Sequence, residues 1–135
     1  MSDSTSIERV RTLVWERIRQ YQAGGGKVRS TEMANRFGGD MGFYHDSSPA
    51  GTLCLVGVVV QRSVMFPDDH AAEILGISRR EANLLESGFE DWSPGGTVET
   101  RGMTMDELRA EPYYKLGQEI ARHLEDAEAA AAQQA

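Results

Sequence analysis

"TLCLVGVVVQRSV", Thr52 to Val64, decides the fold class, because its apolar residues neither alternate nor leave a polar side before Gln61 and Arg62. Periodicity alone does not separate a buried strand from a buried helix in such a run. Val56, Val58, Val59 and Val60 favour a strand. The neighbouring segments carry helical signals, however, and one orphan strand would leave its backbone N–H and C=O groups without partners. A central helix is therefore expected, with a short strand at 53–60 as the alternative. The fold expected is all-α, about five to six short helices around one core.

Upstream, Ile7, Val10, Leu13, Val14, Ile18 and Tyr21 recur every three or four residues, the period of an amphipathic helix over Ser6 to Gln22. The glycines at 24–26 end it. "AGGGK" lacks the spacing of a phosphate-cradling loop and reads as a flexible linker. Trp15 lies off the apolar stripe, with Arg11 and Arg19 one turn to either side. It either packs on a second burial surface or forms an exposed aromatic bracketed by guanidinium groups, a composition that interface hot spots favour. "VRSTEMANRF" predicts a short helix capped by Ser30 or Thr31, and "GGDMGFYHDSSPAG" predicts a loop carrying the aromatic pair Phe43 and Tyr44.

Downstream, Pro67, Asp68 and Asp69 mark a helix start, with carboxylates at the positive end of the helix dipole. Gly76 closes that helix, and Ser78 with Glu81 forms a capping box that opens another. "DWSPGGTVETRG" reads as a loop holding Trp92 beside Pro94. Thr104 and Glu107 form a second capping box, with Met103 and Leu108 as its hydrophobic staple, and Pro112 breaks or restarts the helix. Tyr113, Leu116, Ile120, Leu124 and Ala127 then make one apolar stripe, with Lys115/Glu119 and Arg122/Asp126 paired outside. One helical domain is expected over 1–127. The Ala/Gln-rich tail, 128–135, has nothing to bury and is expected to fray.

"AAEILGISRREANLLESG", Ala71 to Gly88, fits the internal template of a helix-turn-helix: Ala72 at the crossing, Gly76 in the turn, Leu75, Ile77, Ala82 and Leu85 facing inward. Bases would then meet Ser78, Arg79, Arg80, Asn83 and Ser87, and arginine toward guanine or asparagine toward adenine is sensible reading chemistry. A plain packed corner needs the same apolar offsets. Charge favours the corner. From Asp68 to Glu90, two arginines face six carboxylates, and nucleic-acid affinity rests on neutralising phosphates.

Across the whole chain of 135 residues the net charge is −7, with +3 in residues 1–36 and −10 in the remainder. The length suits a single core. The longest apolar run, Leu53 to Val60, is far shorter than the ~20 residues of a membrane span, and "MSDSTSIERV" lacks the basic start of a secretory signal. A cytoplasmic protein with no membrane contact is expected. Cys54 is the single cysteine, so neither an intrachain disulfide nor a multi-cysteine zinc site is available.

"STEMANRFGGDMGFYHDSSPAGTLCLVG" followed by "AAEILGISRREANLLESGF" resembles a group of small uncharacterised proteins common in bacteria and their phages. Their pattern runs Phe-x-Met, a loop, Cys-Gly-Thr, Cys-x-x-Gly and an Ala-x-x-Leu-Leu-Gly-Leu-Ser-like corner. Cys54 to Gly57 matches the second cysteine element and Gly51-Thr52 the Gly-Thr, while Ala50 stands where the first cysteine would be. The resemblance implies a compact, mainly helical domain, possession by a phage, and no catalytic residues.

Two places could hold convergent polar groups. One is the loop with Asp40, Tyr44, His45, Asp46 and Ser47; the other is Asp69, His70 and Glu73. Adjacent residues of the loop rarely present side chains to one point, and although Asp69 and Glu73 share a helix face beside His70, a metal site needs three or more ligands and His45 and His123 have no sequence reason to join them. The expectation is a cofactor-free accessory protein, not an enzyme, that docks to a host protein or to another copy of itself. Trp15, Arg11, Arg19, Tyr44 and Trp92 are its candidate contacts. The alternative is a helix-turn-helix regulator.

Overall fold

A computed structural model describes residues 3–38, 51–61 and 65–134. Among them the chain forms seven α-helices, α1 (Asp3–Ala23), α2 (Thr31–Phe37), α3 (Leu55–Val60), α4 (Pro67–Leu75), α5 (Arg79–Phe89), α6 (Met105–Ala110) and α7 (Pro112–Gln134). A two-stranded parallel sheet pairs β1 (Lys27–Val28) with β2 (Thr52–Leu53). The mainly helical fold expected from the sequence is the one observed.

The ambiguous apolar run resolves into both of its readings at different residues. Thr52 and Leu53 are strand, Cys54 is extended and caps the next helix, and Leu55 to Val60 are helical and buried throughout. A strand over 53–60 is thus corrected to two residues followed by α3. The strand is not an orphan, because the segment after the glycine linker lies beside it: Lys27 N–H donates to Gly51 O and Arg29 N–H to Leu53 O. The glycines themselves form a tight turn rather than a flexible tether. Gly25 has φ +95°, and a Cβ on Gly26 would fall 2.1 Å from the Tyr21 ring.

The core joins the α1 stripe (Val10, Val14, Ile18) to all of α3, Leu75 of α4, Leu84, Leu85 and Phe89 of α5, and Leu116, Ile120 and Leu124 of α7. The main helix pair is α5 against α7. It is close because both helices present glycine at the crossing: a Cβ on Gly88 would meet Tyr114 O at 2.0 Å, and one on Gly117 would meet Leu85 O at 2.1 Å. Backbone touches backbone there.

Caps follow their sequence signals. Ser30 caps α2, and the Ser78/Glu81 and Thr104/Glu107 boxes are both closed. Helix C-termini are satisfied from a distance. Arg9 donates to Leu75 O and Gly76 O at the end of α4, and Arg17 donates through Nε and Nη2 to Val59 O at the end of α3, 3.0 and 2.7 Å away. Guanidinium groups there satisfy orphan carbonyls and oppose the negative end of the helix dipole. A charge-assisted hydrogen bond is worth ~1.5–3 kcal/mol, so Arg17→Met should lower unfolding free energy by about 2 kcal/mol in denaturant titration. Arg19→Met, which loses only a cation–π contact, should cost less than ~1 kcal/mol. Equal losses would remove the capping role.

The C-terminal segment expected to fray from 128 is helical to Gln134. Within it the Glu128 carboxylate accepts from Nε and Nη2 of Arg29, whose side chain is buried and also donates to Gly38 O. That pairing holds the Glu128 carboxyl below its ordinary range. The outer face of α7 is also wired differently, since Glu119 accepts from Arg11 rather than pairing with Lys115. Among the described residues no helix is long and apolar enough to cross a membrane.

Candidate functional site

The residues singled out from the sequence separate into two places and one segment outside the described residues. Trp15 is half-buried between α1 and α7, with the Arg19 guanidinium 5.6 Å from its ring centroid and the His123 ring edge-on at 6.2 Å. Arg11 pairs with Glu119 and with Glu8. This trio is engaged within the chain. Tyr44, Phe43 and the His45 loop lie outside the described residues.

The corner from α4 to α5 forms as its spacing predicts. Gly76 is left-handed at φ +68°. Its outward groups are distributed differently from a base-reading surface. Ser87 is fully buried and Asn83 is 5% exposed. Asn83 Nδ2 donates to Asp68, and Asn83 Oδ1 accepts from the hydroxyls of Thr97 and Ser87. Arg80 pairs with Glu111, and Ser78 is occupied in its capping box. Arg79 is exposed and lies 3.5 Å from both Asp69 and Glu99.

Asn83, Arg79 and Trp92 instead line one cleft of about 600 Å³. It is lined by Cys54, Val56 and Gly57 at the start of α3, by Asp68 of α4, by Glu86 of α5 and by Glu90 just beyond that helix, with the exposed Phe66, Thr31 and Trp92 and the half-buried Thr97 at its mouth. The volume lies in the range of small-ligand pockets. Phe66 and Trp92 remain 60% and 41% exposed. The Trp92 backbone is fixed by Tyr114, whose hydroxyl donates to Trp92 O, and by its own amide donating to Ser87 O. Phe66 is held left-handed at φ +60° ahead of Pro67, a conformation that costs a bulky residue ~1–2 kcal/mol.

Glu86 is the residue that sequence reading passed over. It is 8% exposed, and its Oε1 accepts the Val56 amide at 3.0 Å. Burial, and then the charges of Glu90 and Asp68, push its pKa up to about 8, while the Val56 amide and Cys54 hold it back. A signal was present: Ala82, Glu86 and Phe89 share the inward stripe of α5, and a carboxylate there is the exception that calls for a partner or a proton. Glu90 Oε1 accepts from Thr31 N–H at 2.9 Å.

Cys54 caps α3, its Sγ accepting from Gly57 N–H. Burial and the nearby Glu86 push its thiol pKa well up. Since the thiolate is the nucleophile, this cysteine is suited to packing and capping, not attack. Among the described residues, no group of three or more His, Cys, Asp or Glu is placed to hold a metal ion, Asp69, His70 and Glu73 included. Compared with family models, curated proteins and solved structures, the chain matches none.

Proposed function

We propose that the protein is a cytoplasmic accessory protein, phage-borne as the sequence resemblance implies, that acts by docking a host protein or a further copy of itself and catalyses no reaction. The observation that carries this reading is the cleft with Phe66 and Trp92 exposed at its mouth. Exposed aromatics beside a concave, largely apolar site are what anchored protein contacts use. Trp92, rather than Trp15, is the anchor, because Trp15 is already packed against Arg19 and His123. Duplex reading through the α4–α5 corner is the weaker alternative: burial of Asn83 and Ser87 and the Arg80–Glu111 pair leave it little to read with.

Affinity capture with the folded chain tests the docking. Trp92→Ala should weaken a captured partner by at least ~30-fold, the ~2 kcal/mol of a hot spot, whereas Trp15→Phe should retain it. Full retention of every partner by Trp92→Ala would sink the reading.

A further inference from the structure

The cleft's chemistry specifies what enters it, an inference that rests on the docking reading above. We infer that the cleft takes the guanidinium group of an arginine carried on an apolar segment of the protein partner. Three carboxyl groups, on Asp68, Glu86 and Glu90, line one apolar hollow. They accept hydrogen bonds from neutral donors: Asp68 from Asn83, Glu86 from the Val56 amide, Glu90 from the Thr31 amide. Among the described residues none of the three forms an ion pair. Among the described residues of the lining the cation is Arg79, which lies 3.5 Å from both Asp69 and Glu99.

Buried or half-buried carboxylates without a cation are costly, and a cation brought by a ligand recovers that cost on binding. An anionic occupant meets repulsion from Asp68 and Glu90 and further disfavours ionisation of Glu86. A purely apolar occupant would cover Glu86 and Glu90 without compensating them. The aromatic mouth adds a second, independent preference, since Phe66 and Trp92 expose ring surface to which a cation is attracted. Strain at Phe66 fits this use: its left-handed backbone holds the ring at the mouth. Guanidinium suits the site better than ammonium because it is planar, weakly hydrated, able to stack on a ring and able to donate to two carboxylates at once. An arginine stem and its apolar neighbours also fit the apolar part of the lining. The chain's net charge of −7 favours encounter with a basic partner.

Two-dimensional amide NMR on the full chain at pH 7 provides the test, with the capped tripeptide Ac-Leu-Arg-Leu-amide as probe. It should shift the amides of Val56, Gly57, Glu86 and Glu90 and the Trp92 indole. Its citrulline counterpart, equal in shape and neutral, should bind at least 10-fold more weakly, and the lysine counterpart should fall between them. Glu90→Gln, a change on a half-exposed wall, should weaken the arginine peptide several-fold and leave the citrulline peptide unchanged. Equal binding of arginine and citrulline peptides at the cleft would overturn the cation while keeping the docking site. Absence of any peptide-induced shift at the cleft would overturn the docking site as well. Equal binding of Nα-acetyl-arginine amide and the tripeptide would overturn the protein-borne source.

Discussion

Replacing Gly117 by alanine should cost the protein more than ~3 kcal/mol, a large fraction of a typical domain's ~5–15 kcal/mol stability. The new Cβ would lie 2.1 Å from Leu85 O and 2.6 Å from Phe89 N, both backbone atoms that cannot rotate aside. Relief requires α5 and α7 to separate, which opens the largest helix pair of the core. Gly88→Ala should do the same from the other side, against Tyr114 O at 2.0 Å. Gly57→Ala is the contrasting case. Its Cβ would make ordinary contacts beginning at 3.4 Å with Leu53, so the helix-propensity gain of up to ~1 kcal/mol should dominate. Denaturant titration of the three variants decides it. If all three shift the midpoint alike, close approach at the α5–α7 crossing is not what makes glycine necessary there.

The second large effect is on pH. Glu86 has an ordinary pKa of 4.5 and is pushed up to about 8 in the folded chain. Below the lower value both states hold the proton. Between the two the unfolded chain has released it while the folded chain has not, so rising pH favours unfolding by up to ~1.4 kcal/mol per unit. The stabilising contribution is therefore full in acid and lost as pH rises through about 8. Glu86→Gln keeps an oxygen for the Val56 amide and has no proton to lose. Relative to the parent it should gain stability steadily from pH 5 to 8 and be the more stable protein at pH 8.5. A parent-minus-variant difference that stays constant over that interval would show that Glu86 titrates as an exposed carboxylate does.

Local signals in the sequence were reliable where one residue decides one feature. Ser78 with Glu81, Thr104 with Glu107 and Gly76 set helix ends through bonds within their own turns, Pro112 does so by lacking an N–H, and each end lies where those residues place it. Features that join distant segments were not legible. Nothing local to Lys27 or Thr52 says that they pair, and Arg17 and Arg9 read as surface charge until α3 and α4 bring their C-termini beside α1. The Trp15 cluster shows the same limit, because its ring partner His123 is over one hundred residues away in sequence. For the cleft, the apolar offsets of α5 were readable, but Glu86 within that stripe gains meaning only when the start of α3 presents its amide.

On the proposal above, the buried Glu86 carboxyl, its pKa pushed up to about 8, receives the incoming cation. Following the Glu86 side-chain carboxyl carbon by NMR as pH is varied tests it most directly. The expected midpoint is near 8 for the free protein and falls when Ac-Leu-Arg-Leu-amide saturates the cleft, since a nearby guanidinium favours the ionised form. A midpoint in the ordinary carboxylate range, unmoved by the peptide, would contradict it.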